Sequence, residues 1–313
     1  MKLAAIDIGT NSVKLLVADV EDQQIKNVLL EHTIITRLGQ GVDKSGELTA
    51  EAMDRTLEVI SDFYNRAKLI GAEDIAAITT SAMRDAQNSD IFIQKVIEKT
   101  GLDPQIISGD EEAELTFAGA CSDPDIQSRE VILMDVGGGS TEFILGQNGI
   151  IDNKFSINLG CVRLTEDFIH SDPIDPNDLQ GIIHHIISAL YVRLSTLSVG
   201  DRELIGVGGT ILTAASVHCN MEGLSCDLHK YILRKEDIVR LISYLRRMTL
   251  EERKNVQGLP PQRADIIVAG ITIFSTVMEI LKKQEIVVSK RGLKYGILLK
   301  RAGMLDIGLD SGY

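Results

Sequence analysis

The sequence opens on a short apolar run that ends in a polar turn, Leu3-Ala4-Ala5-Ile6-Asp7-Ile8-Gly9-Thr10-Asn11-Ser12. A second apolar run, residues 13–20, follows at once, which predicts a strand, a tight turn and a second strand. The same order returns at Val131-Ile132-Leu133-Met134-Asp135-Val136-Gly137-Gly138-Gly139-Ser140-Thr141-Glu142. From Asp7 to Asp135 the interval is 128 residues, too long for a solenoid unit, so it indicates two domains descended from one duplicated fold.

Helical and strand patterns alternate along the rest of the chain, which predicts an α/β protein. Residues 121–125 are polar and rich in turn formers, so we place a domain boundary there, giving domains 1–124 and 125–313. The terminal helix, about 297–313, is expected to pack back on the first domain. The other predicted helices are 49–69, 90–100, one that starts at 110, 175–198, one that starts at 211, 235–248 and 264–281. The other predicted strands are 25–38 (one or two strands), 75–79, 105–108, 204–207 and 286–289.

Composition limits the possible classes of protein. Hydrophobic residues make up 44% and charged residues 25%, as in globular proteins, and the formal net charge of −13 argues against non-specific DNA binding. The N-terminus does not resemble a signal peptide, and the longest apolar stretch, residues 266–281, is short for a membrane span. We therefore expect a cytoplasmic protein with no DNA partner and no membrane association.

The four cysteines lack the spacing of a zinc site. The closest two, Cys219 and Cys226, have no second pair to complete such a site. We expect all four, Cys121 and Cys161 included, to be buried reduced thiols, which suits a reducing cytoplasm.

An aspartate at a strand end followed by glycine and small hydroxyl residues is typical of phosphate binding, because glycine lets backbone N–H groups approach an anion. The carboxylate would repel phosphate, so Asp7 and Asp135 are predicted to hold Mg²⁺ or a metal-bound water, with Glu142 as a further carboxylate. A third glycine turn precedes a predicted helix, whose N-terminus attracts anions. The predicted phosphate-binding residues in the three turns are Gly9, Thr10, Asn11 and Ser12, then Gly137, Gly138, Gly139, Ser140 and Thr141, then Gly208, Gly209 and Thr210. Together these turns predict two actin-like domains (ASKHA superfamily, ribonuclease H-like) with phosphate bound in an interdomain cleft.

From about residue 5 to 299 the chain resembles the exopolyphosphatase and guanosine-pentaphosphate phosphohydrolase (Ppx/GppA) family. Besides the two aspartate turns, the resemblance rests on Thr79-Thr80-Ser81-Ala82-Met83-Arg84-Asp85-Ala86, Ile107-Ser108-Gly109-Asp110-Glu111-Glu112-Ala113-Glu114, Leu159-Gly160-Cys161-Val162-Arg163, Gly206-Val207-Gly208-Gly209-Thr210 and Leu259-Pro260-Pro261-Gln262-Arg263-Ala264. Longer members of the family carry an additional domain that a His-Asp pair would indicate. This sequence has no such pair, so the chain looks like the short, two-domain form. Residues 292–296 depart from the family's usual Gly-Leu-Arg-Glu-Gly, with Lys294 and Tyr295 in place of the Arg and the acidic residue, which leaves a binding role there open.

The resemblance implies hydrolysis of a terminal phosphoanhydride bond. Glu112 would orient and activate the attacking water, and Arg84 would clamp the terminal phosphate, with Arg263 as a second candidate from the second domain. Asp135 and Glu142 would hold a divalent cation, Mg²⁺ or Mn²⁺, with Asp7 opposite.

Several alternatives stay open on the sequence. We favour exopolyphosphatase activity on inorganic polyphosphate; the alternatives are a phosphohydrolase for guanosine pentaphosphate (pppGpp) or nucleoside triphosphates, a non-hydrolytic nucleotide or alarmone sensor, and a kinase. Arg163 is predicted either to pair with Glu166 or Asp167 or to contact phosphate. Glu111 and Glu114 are interpreted as charges of a helix start. A homodimer is also possible.

Overall fold

The computed structural model describes residues 1–21, 24–197 and 199–303. Contacts divide the chain into two units: unit 1 is Met1–Gln127 with the segment from Arg291 onward, and unit 2 is Ser128–Lys290. The boundary predicted between residues 124 and 125 falls within the short helix Pro124–Gln127. Residues 304–313 of the predicted terminal helix lie outside the described part of the chain.

Unit 1 contains a five-stranded mixed sheet in the order β3-β2-β1-β4-β5. Strand β2 runs antiparallel to β1 and to β3, while β4 is parallel to β1 and β5 is parallel to β4. The strands are β1 (Lys2–Ile8), β2 (Ser12–Glu21), β3 (Gln24–Ile35), β4 (Asp74–Thr79) and β5 (Gln105–Ile106).

Both faces of this sheet are covered, because side chains along β1 alternate between two apolar clusters. Ala4 and Ile6 pack into one cluster with residues of α2 and α4, and Leu3 and Ala5 pack into the other with residues of α5 and α13. The helices of unit 1 are α1 (Val42–Ser45), α2 (Ala50–Ile70), α3 (Ser81–Asp85), α4 (Ser89–Thr100), α5 (Gly109–Cys121), α6 (Pro124–Gln127) and α13 (Leu293–Arg301).

Unit 2 repeats the sheet of unit 1 with one further strand, in the order β10-β11-β9-β6-β7-β8. Its β6-β7 hairpin is antiparallel, and β9 and β11 add in parallel on the other side of β6, as β4 and β5 do beside β1. The strands are β6 (Glu130–Val136), β7 (Thr141–Gln147), β8 (Ile150–Ile157), β9 (Glu203–Val207), β10 (Ile232–Arg234) and β11 (Glu285–Val288). The shared order confirms the prediction of two ribonuclease H-like, actin-like domains.

The core of unit 2 forms where helices cover β6, β7 and β9, and it includes Met134, Phe143 and Phe274. The long apolar stretch of the sequence is α12, which is buried along most of its length rather than exposed. Within the described ranges, no helix is long and apolar enough to cross a membrane. The helices of unit 2 are α7 (Cys161–Phe168), α8 (Pro176–Ser195), α9 (Gly208–Met221), α10 (Lys235–Arg246), α11 (Leu250–Arg253) and α12 (Ile267–Ile280), with a 3-10 turn at Pro261–Arg263.

The expectation of four reduced thiols is wrong for one pair, because Cys219 and Cys226 form a disulfide. Helix α9 ends at Met221, and Gly223, with a φ of 65°, turns the chain back so that the two Cα atoms lie 6.3 Å apart. That separation is within the range a disulfide bridges. Cys121 and Cys161 are free; Cys161 is buried as expected, whereas Cys121 is only partly buried. The cytoplasmic location stays a prediction.

Candidate functional site

The first glycine turn of unit 1 joins β1 to β2 and is fixed by backbone hydrogen bonds. Gly9 N–H donates to Ser12 O at 3.0 Å, and the Thr10 hydroxyl accepts from Ala82 N–H at 3.2 Å. Both polar atoms of the buried Asn11 side chain lack a hydrogen-bond partner among the described residues. Because a buried amide without a partner is costly, this side chain fits a site that a polar ligand completes.

Asp7 is buried one residue before the end of β1, directly opposite Lys14 of β2. Lys14 Nζ donates to Asp7 Oδ2 at 2.7 Å, whereas Asp7 Oδ1 has no partner within the described part of the chain. One oxygen of this carboxylate is therefore held by a cation, and the other is available to a ligand.

Glu112 lies in the first turn of α5, buried to 8% exposure, and pairs with Arg84 of α3. Arg84 Nη1 donates to Glu112 Oε2 and to the carbonyl of Ile107, at 2.9 Å in each case. The structure thus joins the two residues predicted to be catalytic in one ion pair, although 28 residues separate them in sequence.

The neighbouring Glu111 has a different role. Its carboxylate accepts from the N–H of the N-cap Ser108 at 2.8 Å, and the Ser108 hydroxyl accepts from Glu111 N–H, which completes a capping box. The interpretation of Glu111 as a helix-start residue is confirmed.

In unit 2 the second glycine turn joins β6 to β7. Gly137 N–H donates to Ser140 O at 2.9 Å, matching the bond from Gly9 to Ser12 in the first turn. Helix α7 packs against the turn so closely that a Cβ on Gly160 would lie 2.1 Å from Gly138 O. Arg163 donates from Nε to Gly139 O at 3.2 Å, so this side chain contacts the turn itself.

Asp135 and Glu142 are directly opposite each other on β6 and β7, and residues opposed in this way share one face of the sheet. Glu142 is buried at 1% exposure, and the Ser156 hydroxyl of β8 donates to its Oε1 at 2.8 Å. The hairpin therefore fixes two carboxylates side by side at the glycine turn.

The third glycine turn, where β9 leads into α9, closes around Asp135 and Arg263. A Cβ on Gly208 would lie 2.2 Å from Asp135 Oδ1, and one on Gly209 would lie 2.2 Å from Arg263 Nη2. The Thr210 hydroxyl donates to the carbonyl of Val136 at 2.9 Å, which ties α9 to the end of β6. Both glycines are needed because a carboxylate and a guanidinium occupy the space of their missing side chains.

Arg263 is a buried cation in this half of the site, at 8% exposure. Burial lowers the pKa of its guanidinium, and the nearby Cys161 and Asp135 partly offset that effect. A buried guanidinium beside backbone N–H groups of a helix N-terminus is suited to bind phosphate oxygens.

The residues fit the divalent cation expected from the sequence. Mg²⁺ is usually held by one or two carboxylates, with waters and substrate phosphates completing its shell. Asp135 with Glu142 supplies such a pair in unit 2, and Asp7 Oδ1 supplies a single open oxygen in unit 1. Across residues 1–21, 24–197 and 199–303, no group of three or more His, Cys, Asp or Glu side chains suits a closed metal site, and a shell shared with substrate does not require one.

Each unit thus gathers its own set of predicted site residues. Unit 1 holds Asp7, the first turn, Arg84 and Glu112; unit 2 holds the second and third turns, Asp135, Glu142 and Arg263. Sequence reasoning missed Lys14 and Ser156, which hold Asp7 and Glu142. Lys14 could have been found by extending the predicted hairpin, because residues 9–12 of the turn place position 14 opposite position 7.

Comparisons with known proteins agree with these features. The model of the Ppx/GppA phosphatase family matches residues 16–304. Exopolyphosphatase 2 of Mycobacterium tuberculosis is 32% identical, over 96% of this chain and 99% of its own.

Solved structures of similar proteins agree with the family match. A crystal structure of an exopolyphosphatase from Cytophaga hutchinsonii, 29% identical, superposes with a TM-score of 0.90 over 99% of this chain and 100% of that one. The Aquifex aeolicus member of the Ppx/GppA family, 28% identical, gives a TM-score of 0.80 over 98% of this chain and 99% of that one. The chain therefore belongs to the Ppx/GppA phosphatase family, and it is a phosphohydrolase.

Proposed function

We propose that the protein is an exopolyphosphatase that removes the terminal phosphate of inorganic polyphosphate by Mg²⁺-dependent hydrolysis. The observation that carries the proposal is the ion pair between Arg84 and the buried Glu112, which sets a carboxylate that can bind water beside a guanidinium that can bind phosphate. The choice of polyphosphate is supported by the names of relatives from Mycobacterium tuberculosis and Cytophaga hutchinsonii.

Hydrolysis of a phosphoanhydride needs a water in line with the leaving oxygen, and most of the catalysis is positioning and neutralisation of charge. Glu112 is suited to orient that water and to accept its proton, since its carboxylate is fixed at the start of α5. Arg84 donates both to Ile107 O and to Glu112, which holds its guanidinium beside that carboxylate, and we propose that it contacts the terminal phosphoryl group.

The rest of the phosphate chain would be bound through the glycine turns. Backbone N–H groups of residues 138–140 and of the α9 N-terminus would suit any phosphate in a chain, because they would bind phosphate oxygens and not a base. Arg263 adds a positive charge beside the third turn.

Asp135 and Glu142 would hold the divalent cation. Asp7, whose Oδ1 is open, is a separate candidate to hold a cation or a metal-bound water in unit 1. When bound, Mg²⁺ neutralises charge on the phosphate oxygens of the substrate and of the leaving group. Ser156 keeps Glu142 oriented for this role.

The test is a Glu112→Gln variant assayed for phosphate release from long-chain polyphosphate with Mg²⁺. We expect turnover to fall by a factor of about 100 to 10,000, the usual contribution of a general base, with polyphosphate binding retained. Glu111→Gln is the matched control: it changes the adjacent carboxylate on the same helix, glutamine can still complete the capping box, and activity should be kept. Equal activity of both variants would contradict the role of Glu112.

Guanosine pentaphosphate and ATP are tested in parallel. Phosphate release mainly from guanosine pentaphosphate would replace polyphosphate as the substrate without changing the site. Tight binding of one of these compounds without any phosphate release would favour a sensor.

A further inference from the structure

A row of alternating charges crosses one face of the unit 1 sheet beside the first glycine turn. Its first pair is Asp7 of β1 and Lys14 of β2, joined at 2.7 Å with the carboxylate 1% exposed. Glu31 of β3 is paired in register with Leu16, two residues beyond Lys14. Side chains two residues apart on a strand share a face, so Glu31 is a diagonal cross-strand neighbour of Lys14.

The fourth charge is Lys294, the second residue of α13, which is buried at 8% exposure. Its ammonium donates to Glu31 Oε1 in an ion pair, and the Tyr295 hydroxyl lies 3.5 Å from Glu31 Oε2. Burial lowers the pKa of Lys294, while Glu31 raises it; Lys14 and Asp7 are also close enough to act on it, in opposite directions. All four charges therefore form one electrostatic network although residues 7 and 294 lie at opposite ends of the chain.

The network leaves one oxygen of the Asp7 carboxylate open to a ligand. Asp7 Oδ2 is occupied by Lys14, and Asp7 Oδ1 is buried without a partner among the described residues. This arrangement depends on Lys14 being directed at Asp7 rather than at Glu31, its diagonal neighbour.

We propose that Lys294 is a positioning residue for hydrolysis: by pairing with Glu31, it leaves Lys14 to Asp7 and so fixes the orientation of the Asp7 carboxylate. The inference rests on the proposed function for its catalytic consequence. Without Lys294, the carboxylate of Glu31, whose side chain is 36% exposed, would have Lys14 as the cation at its diagonal cross-strand position, where opposite charges attract. Lys14 would then be drawn toward Glu31, and Asp7 would lose the partner that orients it.

Competition between Asp7 and Glu31 for the ammonium of Lys14 predicts a specific pattern of activity among variants. Lys294→Met should lower kcat on polyphosphate about tenfold, the scale typical of residues that orient a ligand to a metal or substrate. Lys294→Arg restores a cation for Glu31 and should restore the rate. In Lys294→Met/Glu31→Gln the competitor for Lys14 is also gone, so kcat should return to within about threefold of the unaltered enzyme. A residue that acts only through stability would give a double variant no better than Lys294→Met.

Arg301→Met is the matched control. Arg301 lies on the same helix and pairs with Asp74 of β4, away from Asp7, so its loss breaks an ion pair of α13 without touching the network. Its kcat should equal that of the unaltered enzyme. Thermal melting of each variant separates a loss of folded protein from a loss of rate.

A second measurement does not depend on activity. Lysine labelled with ¹³C at Cε gives an NMR signal for Lys14, assigned by its absence in Lys14→Arg. We expect this signal to shift in Lys294→Met, to return toward its original position in Lys294→Met/Glu31→Gln, and to stay unchanged in Arg301→Met. An unshifted Lys14 signal in Lys294→Met would overturn the inference. If the unaltered protein releases no phosphate from polyphosphate, the proposed function fails, and the NMR result still decides whether Lys294 directs Lys14.

Discussion

Gly208→Ala is the change whose effect on the site follows most directly from the geometry. Gly208 begins α9 with a φ of 88°, in the left-handed region that favours glycine. A Cβ there would lie 2.2 Å from Asp135 Oδ1 and 3.2 Å from Asp135 Cγ. The substitution therefore strains the backbone and forces the Asp135 carboxylate to move.

The two effects have different magnitudes. The backbone strain of alanine in this region costs roughly 1–2 kcal/mol of folding free energy. Moving the carboxylate to an ordinary contact of 3.4 Å requires a shift of about 1.2 Å, the difference between 3.4 and 2.2 Å. A misplacement of about 1 Å in an active site can cost a factor of about 100 in rate, which corresponds to about 2.7 kcal/mol of transition-state stabilisation.

The assay compares kcat/KM for polyphosphate in Gly208→Ala with that in Gly223→Ala. Gly223 also has a positive φ, 65°, but a Cβ there would meet nothing within 4 Å, so this variant carries the strain alone. Both variants should melt a few degrees lower, since about 1 kcal/mol corresponds to roughly 2–4 °C in a unit of this size. Only Gly208→Ala should lose activity about 100-fold. Equal kcat/KM in the two variants would refute the inference that hydrolysis depends on the position of the Asp135 carboxylate.

Two further predictions concern the proposed metal site and the cysteines. Asp135→Asn should raise the Mg²⁺ concentration needed for half-maximal activity about tenfold or more, since a charged ligand is lost beside Glu142; an unchanged Mg²⁺ titration would exclude Asp135 as a ligand. Burial raises the pKa of the Cys121 thiol to about 12 and that of Cys161 to about 11. Cys161 is buried whereas Cys121 is only partly buried, so at pH 8 the folded, unreduced protein should react slowly with a thiol reagent at Cys121 and not at Cys161. The unfolded protein should bind two equivalents, and the unfolded and reduced protein four; reaction of Cys161 in the folded protein would contradict its burial.

Local sequence signals predicted most of the secondary structure correctly. Thr49 caps α2 by accepting from Ala52 N–H, and Gly101 ends α4 in a left-handed conformation, both as their residue types predict. Strand β8 was not predicted, because it is an edge strand of exposed and partly buried residues in which only Phe155 is buried, so it lacks a clear apolar alternation. Helix α7 was also missed; it has eight residues and no side-chain cap at Gly160.

The candidate site was predicted in its residue types but not in its pairings. The glycine turns and their aspartates could be recognised in the sequence because close backbone approach requires glycine and the residues of each turn are consecutive. The pairs Arg84–Glu112 and Lys294–Glu31, and the contact of Asp135 with Gly208, join residues far apart along the chain.

The sequence by itself therefore determined the duplicated α/β architecture, the position of each glycine turn and the family resemblance, since all of these depend on local patterns and short motifs. Only the tertiary structure decided that Lys14 holds one oxygen of Asp7, that Lys294 is buried against Glu31, and that Cys219 bonds to Cys226. The physical reason is that ion pairs and disulfides depend on distance and burial, which are set when sheets and helices pack and which neighbours in sequence do not specify.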